Sequence, residues 1–252
     1  MLLNEIFGGS TEEVLQGAGL TRGMRVAEIG CGAGFTVLWM AQFVGSSGSV
    51  TAVDSSPDQL LIGEQNAKAA GLTNISFHEA GAYETGLPQD SFDLVFARFL
   101  MCHLAEPVKA LREMRRILKP GGILVCEDHD HGGIFTEPPT DAYKRLVEIS
   151  EAVNRSLGLD AYIGIRLPRI VQEAGFEKPE VRVKQHVFLR GPAKRFWEIT
   201  LREAKPAIVA AKAATPEELE SLCAEISTIA RDESILVMLA RVTQVWAQKS
   251  QR

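Results

Sequence analysis

Cysteine is scarce in this sequence of 252 residues, and its spacing argues against two kinds of protein. The four cysteines stand far apart, at positions 31, 102, 126 and 223, and no two form a Cys-x-x-Cys pair. Zinc-binding motifs and disulfide frameworks both depend on characteristic cysteine spacings, so neither is indicated. We expect the cysteines to act as small apolar residues in a reduced, cytoplasmic protein.

An excess of basic residues and long apolar runs are also missing. Lys and Arg number 27 against 32 Asp and Glu, which gives a net charge of -5, and no basic stripe occurs. Nucleic-acid-binding proteins usually carry such a stripe. No apolar run approaches the roughly 20 residues of a membrane-spanning helix, and the N-terminus lacks a signal-peptide pattern. The sequence therefore predicts neither a nucleic-acid partner nor a membrane partner.

The most informative segment is residues 26–34, a short apolar strand that ends near Glu28 and continues into a glycine-rich turn. Glycines at 30, 32 and 34 allow a tight turn and let a ligand lie against the main chain. An apolar helix over 35–44 follows. This arrangement predicts a ligand crevice at the carboxyl edge of an open α/β sheet.

A second strand over 49–54 ends in Asp54, about 20 residues beyond Gly34. A carboxylate in that position can accept hydrogen bonds from ribose hydroxyls. Ser56, Pro57 and Gln59 form a helix start with a capping box. The pattern predicts binding of a nucleoside-containing ligand.

Strand and helix patterns alternate from residue 24 to residue 127, which predicts a doubly wound parallel sheet with right-handed crossovers. The pattern of residues 181–189 predicts a strand. Residues 236–246 are predicted to form a helix or a strand, and for their second half we favour a final antiparallel strand. Thr11 is expected to open a short amphipathic helix. We predict one α/β domain over 1–252, with a core at 22–135, strands near 180–189 and 240–247, and a helical cover of the carboxyl edge at 138–175 and 191–230.

The motifs together resemble the class I S-adenosylmethionine-dependent methyltransferases. They are Glu28-x-Gly30-Cys31-Gly32-x-Gly34, Asp54, Ser91-Phe92-Asp93-Leu94-Val95 and Leu118-Lys119-Pro120-Gly121-Gly122. The sequence is most similar to the small-molecule group that includes enzymes of ubiquinone and menaquinone biosynthesis. The resemblance covers roughly residues 22–130. It implies a seven-stranded, mostly parallel Rossmann-like sheet and in-line methyl transfer from S-adenosylmethionine to a small, partly apolar acceptor.

The resemblance also implies which positions hold the cofactor. Glu28, Gly30 and Arg98 would border the methionine portion, and the backbone from Gly30 to Gly34, which includes Cys31 and Gly32, would approach the carboxypropyl and ribose side. Asp54 would bind the ribose, with Ser55 near the adenine. The adenine-contacting loop would comprise Gly81, Ala82 and Tyr83.

One position of that loop departs from the family. The family usually reads Gly-Asp-Ala, whereas this chain reads Ala80-Gly81-Ala82 and lacks the acidic acceptor for the adenine amino group. One such hydrogen bond contributes about 0.5–1.5 kcal/mol. Tyr83 or Glu84 is a candidate replacement.

A catalytic base is needed only where the acceptor must lose a proton, because the methyl donor is already activated. Candidate bases are His103 and His129, the latter within the run Glu127-Asp128-His129-Asp130-His131, and Tyr162 is a candidate pocket residue. The pair His129-x-His131 and the acidic residues beside it are also suitable ligands for a divalent metal. A further interpretation of this run is a solvated loop at the end of a strand. We predict no metal.

Two other functions stay open. One is an S-adenosylmethionine-binding protein that does not transfer methyl, either regulatory or cyclase-like. The other is an NAD-dependent oxidoreductase, although Gly-x-Gly-x-Gly and a carboxylate at Glu28 disfavour a pyrophosphate. The acceptor, the methylated atom and the oligomeric state are undetermined, and a homodimer through the helical cover is one alternative.

Overall fold

A computed structural model of the protein describes residues 2–251. Helices and strands alternate through the first half of the chain, except that no helix lies between residues 79 and 92, and they become mixed in the second half. In chain order they are α1 (Leu2–Ala18), β1 (Arg25–Ile29), α2 (Phe35–Val44), β2 (Ser49–Asp54), α3 (Pro57–Ala69), β3 (Ile75–Glu79), β4 (Phe92–Arg98), α4 (Pro107–Ile117), β5 (Leu118–Asp130), β6 (Phe135–Glu137), α5 (Asp141–Ser156), α6 (Ile163–Glu173), β7 (Glu180–Lys184), β8 (Val187–Phe188), α7 (Phe196–Glu203), α8 (Lys205–Ala210), α9 (Pro216–Arg231), β9 (Leu236–Met238) and β10 (Arg241–Gln248).

The main sheet has seven strands in the order β3-β2-β1-β4-β5-β10-β7. Every pairing is parallel except those of β10, which runs antiparallel to both β5 and β7. The strand order reverses between β1 and β4, and ligands of open α/β sheets bind outside the carboxyl ends at such a point. The predicted seven-stranded, mostly parallel sheet with a final antiparallel strand is confirmed.

Both faces of the central strands of the main sheet are buried, as their continuous apolar sequences predict, whereas the edge strand β7 is mostly exposed. On one face, Val14 and Leu15 of α1 join the buried side chains of α2 and the sheet. On the other face, α4 and α6 pack together against the middle strands. The position of α6 differs from our expectation, since residues 163–173 were predicted to belong to the cover. Its buried side chains, Leu167 among them, contact the sheet instead.

The cover of the carboxyl edge is built from α5, α7, α8 and α9, which share a separate apolar core with Phe7 of α1. A small sheet in the order β6-β9-β8 completes this layer and was not predicted. It arises because the predicted strand over 181–189 divides into β7 and β8. Between them the Gln185 amide donates to the Leu239 carbonyl at 2.5 Å, and Leu239 N–H donates to the His186 carbonyl at 3.0 Å.

Helix α1 begins well before the predicted start at Thr11. Thr11 lies in the middle of the helix, is 1% exposed, and donates its hydroxyl to the Phe7 carbonyl at 3.1 Å. A Thr-x-Glu pattern favours a cap, but burial of the threonine among partners distant in sequence overrides it. Among the helices of residues 2–251, none has the length and apolar character required to cross a membrane.

Candidate active site

The glycine-rich turn after β1 is held by backbone hydrogen bonds. The N–H groups of Gly30 and Cys31 both donate to the Val53 carbonyl, at 2.8 and 3.0 Å. Gly30 has φ +75°, and a Cβ there would lie 2.9 Å from the Leu100 side chain. Glycine is required at this position because both its backbone conformation and the close contact exclude a side chain.

Asp54 braces this turn from the end of β2. Its Oδ2 accepts from Gly32 N–H at 2.8 Å, and its Oδ1 accepts from Ser56 N–H at 2.9 Å. An ionised carboxylate has about four lone-pair positions, so capacity for ribose hydroxyls remains. Ser55 is exposed beside it. The predicted ribose residue and the predicted turn are therefore brought into contact.

Glu28 and Arg98 lie on the other side of the turn. Glu28 is 3% exposed, and its Oε2 has no hydrogen-bond partner. Burial raises the pKa of Glu28 to about 8, against the opposing charge of Arg98. Arg98 donates from Nη1 to the Thr11 hydroxyl at 3.0 Å. An unpartnered buried carboxyl next to a guanidinium fits the charged amino-acid end of S-adenosylmethionine, the cofactor that the resemblance implies.

The predicted adenine loop follows β3 and is tied to β2, since Ala80 N–H donates to the Asp54 carbonyl at 3.0 Å. Tyr83 is engaged elsewhere, because its hydroxyl accepts from Glu106 N–H at 3.1 Å. Ala82 is half-buried against the core. A Cβ added at Gly81 would meet nothing within 4 Å. The loop thus has room for the missing acidic side chain, and the Tyr83 hydroxyl already has a partner.

A cavity of about 350 Å³ lies between the carboxyl ends of β4 and β5 and the helical cover. Its wall is mainly apolar, its three histidines stand at the strand ends, and it includes no Lys, Arg, Asp or Glu. The lining residues are Leu3, Phe7, Phe99, Cys102, His103, His129, His131, Leu146, Ile149, Ser150, Val153, Asn154, Leu157, Leu159, Phe196, Trp197, Thr200, Leu201, Ala204, Ile208, Ala240 and Val242.

His129 and His131 stack at this wall with ring centroids 4.8 Å apart. Burial lowers the pKa of His129 to about 3 and that of His131 to about 4. Both imidazoles are therefore neutral at pH 7, and a neutral imidazole has one ring nitrogen that can accept a hydrogen bond. His103 closes a short 3-10 turn, Met101–His103, and is exposed while it lines the same cavity.

Asp128 is hydrogen-bonded to the backbone of both segments that carry these histidines. It is fully buried and accepts from the N–H groups of Cys102 at 3.1 Å and His129 at 2.8 Å. Burial raises the pKa of Asp128 to about 7. The solvated strand-end loop considered for residues 127–131 is wrong, because β5 continues to Asp130 and is covered by neighbouring elements.

Tyr162 does not line the cavity, contrary to the position expected for it. It precedes α6 and donates its hydroxyl to Glu151 of α5. This hydrogen bond raises the pKa of Tyr162 to about 12. The reason is the placement of α6 on the sheet, which carries residue 162 away from the cavity wall.

One group of metal-binding residue types occurs within residues 2–251. Donor atoms of Cys102, Asp128 and His129 lie within 4.8 Å of one another. Both oxygens of Asp128 already accept backbone N–H groups, and burial raises the pKa of the Cys102 thiol. A ligand set for a divalent metal needs deprotonated, available donors, so these residues do not favour a metal.

Several wall residues had no distinguishing signal in the sequence. Phe7 comes from α1, Ile149 from α5 and Trp197 from α7, far apart in the chain. Leu100 packs on Gly30, while its neighbours Phe99 and Cys102 line the cavity. The segment 99–103 therefore connects the glycine turn with the cavity, and helical periodicity alone could not reveal this.

With this geometry in place, comparison with known proteins identifies the family. The methyltransferase domain family matches residues 20–175. The chain belongs to this family.

Individual relatives agree with that assignment. The demethylmenaquinone methyltransferase of Geobacillus kaustophilus is 32% identical over 124 residues, which cover 49% of this chain and 53% of that protein. The chain therefore spans about half the length of this relative. The enzyme of the same name from Listeria monocytogenes serotype 4b is 30% identical over 172 residues, covering 62% of this chain and 70% of that protein.

A solved structure shares the fold. The SAM-dependent methyltransferase of Aquifex aeolicus superposes with a TM-score of 0.55 at 21% identity, covering 94% of this chain and 88% of that one. The Rossmann-like methyltransferase architecture that the resemblance implied is thereby confirmed.

Proposed function

We propose that this protein transfers a methyl group from S-adenosylmethionine to a small, neutral and largely apolar acceptor that loses a proton during the reaction. The observation that carries the proposal is the apolar cavity with neutral imidazoles beside the glycine turn. Family membership supports methyl transfer. The relatives are named demethylmenaquinone methyltransferases, and we extend methyl transfer to this chain without assigning it the acceptor in that name.

The cofactor residues are proposed by position. The turn at Gly30, Cys31 and Gly32, braced by Asp54, takes the ribose and carboxypropyl side. Glu28 and Arg98 take the amino-acid end. Ser55 and the loop formed by Gly81, Ala82 and Tyr83 take the adenine.

The acceptor class follows from the cavity wall. A charged acceptor would lose its hydration on entry and find no side chain of opposite charge, which is strongly unfavourable. An apolar ring or chain would gain free energy by the same burial. The histidines stand only at the strand-end side, so the acceptor's one ionisable group is expected there.

The chain's own residues then have distinct roles. When bound, S-adenosylmethionine supplies an activated methyl group, so the protein mainly aligns and desolvates the acceptor. The apolar cover excludes water from the cavity. His129, unprotonated and half-buried, accepts the proton that the acceptor loses. His103 is placed to contact the same part of the acceptor, and Tyr162 is not included.

The test uses radiolabelled S-adenosylmethionine and two classes of acceptor. We expect label in hydroxylated naphthalenes, which are apolar and carry an acidic O–H, and none in phosphoethanolamine. Binding of S-adenosylhomocysteine, but not NAD, should raise the melting temperature. Labelled phosphoethanolamine would contradict the acceptor class. Cofactor binding with no transfer across a broad neutral panel would contradict the activity and favour a non-transferring role.

A cytoplasmic location is part of the proposal. All four cysteines are free and buried, as expected for a protein that stays in a reducing compartment. A homodimer through the helical cover remains a prediction, and sedimentation in solution would test it.

A further inference from the structure

A row of polar side chains continues from the glycine turn toward the far edge of the main sheet. Arg98 of β4, Glu127 of β5 and Gln244 of β10 are direct neighbours in the strand register. Glu28 stands on β1, opposite Phe96 of β4. Since side chains two residues apart share a face of a strand, all four point to the face covered by α1.

This row is incompletely paired. Glu28 Oε2 and Glu127 Oε1 are both buried without a hydrogen-bond partner. Glu127 is 2% exposed, and burial raises its pKa although Thr11, Gln244 and Arg98 oppose the effect. Of the Arg98 nitrogens, Nη1 donates to Thr11, and neither carboxylate lies close enough for an ion pair. Two carboxyl groups and one guanidinium thus retain open hydrogen-bonding positions.

Glu127 is nevertheless held in a definite orientation. Gln244 Nε2 donates to Glu127 Oε2 at 2.6 Å and to the Ser10 carbonyl at 3.0 Å. These bonds connect β5, β10 and α1 and leave the other oxygen of Glu127 free. A purely structural carboxylate would be expected to have both oxygens satisfied, because an unpaired buried acceptor is costly.

The complementary ligand carries an ammonium for the carboxylates and a carboxylate for the guanidinium, that is, an α-amino-acid group. We propose that Glu127, oriented by Gln244, binds the α-ammonium of the cofactor's methionine end together with Glu28, while Arg98 binds its carboxylate. The proposal rests on the cofactor site described above. It makes Glu127 a cofactor-binding residue.

The experiment compares two ligands that differ only in this group. S-adenosylhomocysteine has the amino-acid group, whereas 5′-methylthioadenosine has the adenosine and the thioether without it. Titration calorimetry should show that Glu127→Gln lowers the affinity for S-adenosylhomocysteine at least about tenfold, the effect of losing one charge-assisted hydrogen bond. Its affinity for 5′-methylthioadenosine should not change.

Two controls keep the result specific. Glu198→Gln removes another buried carboxylate, one that is paired with Arg195 and Arg202 far from the turn, and should leave the ratio of the two affinities unchanged. The analogue of S-adenosylhomocysteine without its amino group should bind wild type weakly and lose no further affinity in Glu127→Gln. The wild-type part of this measurement does not depend on how well the variant folds.

The melting temperature gives a separate readout. Because Glu127→Gln removes a buried carboxyl whose Oε1 has no hydrogen-bond partner, the ligand-free variant should melt at or above the wild-type temperature. The proposal would be overturned if Glu127→Gln lowered the affinities for S-adenosylhomocysteine and 5′-methylthioadenosine equally, or lowered neither. A failure of methyl transfer with the affinity ratio intact would instead affect only the proposed activity.

Discussion

The two halves of the candidate site are built in different ways. The cofactor half consists of a turn and a strand end, and its main contacts lie within residues 28–56, mostly between backbone groups and Asp54. The acceptor half collects side chains from Leu3 to Val242, across the four helices α1, α5, α7 and α8 and the ends of three strands. Local sequence therefore encodes the first half, and chain topology creates the second.

The two halves also differ in their electrostatics. Charged side chains surround the cofactor half, whereas none lines the cavity of the acceptor half. We expect substitutions in the two halves to separate into effects on cofactor binding and effects on transfer.

Replacing His129 with Asn should lower kcat about 100-fold, the lower range for loss of a general base. Affinity for S-adenosylhomocysteine should be unchanged, because His129 lies in the acceptor half. His186→Asn, outside the cavity wall, is the matched control. Since the pKa of His129 is about 3, its protonation should not reduce kcat/KM between pH 8 and pH 6. An unchanged kcat in His129→Asn would remove His129 from the mechanism.

Replacing Asp54 with Asn should lower the affinity for S-adenosylhomocysteine by about 10- to 100-fold, since hydrogen bonds to charged groups contribute about 1.5–3 kcal/mol. The same change loosens the turn at Gly32, so the melting temperature should also fall. Calorimetry and thermal unfolding measure the two effects. Asp58→Asn, an acid in the first turn of α3, serves as control. If affinity is retained, the ribose is bound elsewhere.

Replacing Ala204 with Leu adds three carbons to the cavity wall. The KM for the acceptor should rise about tenfold, within the range for steric discrimination in an apolar pocket. Cofactor affinity should not change, which separates the two halves directly. Ala224→Leu on α9, outside the cavity lining, is the control, and steady-state kinetics is the measurement. Parallel loss of cofactor affinity would show that the halves are coupled.

Replacing Gly81 with Asp should improve cofactor affinity by up to about tenfold, the value of one hydrogen bond of about 0.5–1.5 kcal/mol. There is room for the side chain, since a Cβ at this position meets nothing within 4 Å. Gly81→Ala adds the Cβ without the acceptor and should have little effect. Equal affinities of the two variants for S-adenosylhomocysteine would show that this loop does not contact the adenine.

The smallest expected effect is the release of a proton when the cofactor binds. With a pKa of about 8, Glu28 is mostly protonated at pH 7, and the charges of Glu127 and Asp54 contribute to that value while Arg98 opposes it. An ammonium favours the ionised form, so cofactor binding at pH 7 should release up to about one proton to the buffer. Calorimetry in phosphate and in Tris measures this release. It should decrease in Glu28→Gln, and proton uptake would contradict the assignment.

The comparison of the two halves explains which predictions succeeded. The parallel strands near Asp54 and the final antiparallel β10 were predicted from apolar periodicity and turn residues, which act over short distances. The split between β7 and β8 was missed because it depends on Gln185 reaching Leu239, a contact with no local signal. The placement of α6, and with it that of Tyr162, was wrong because the helix pattern reports an apolar face but not its partner.

The α/β class, the glycine turn and the positions of the strand-end carboxylates could all be predicted without knowledge of any tertiary contact. Each depends on a residue's own conformational freedom, or on a period of two or 3.6 residues. Tertiary structure alone decided that Glu127 is buried beside Arg98 and that Phe7, Ile149 and Trp197 share one cavity. The physical reason is that these contacts join distant parts of the chain, and their stability comes from burial after the sheet and its cover have assembled.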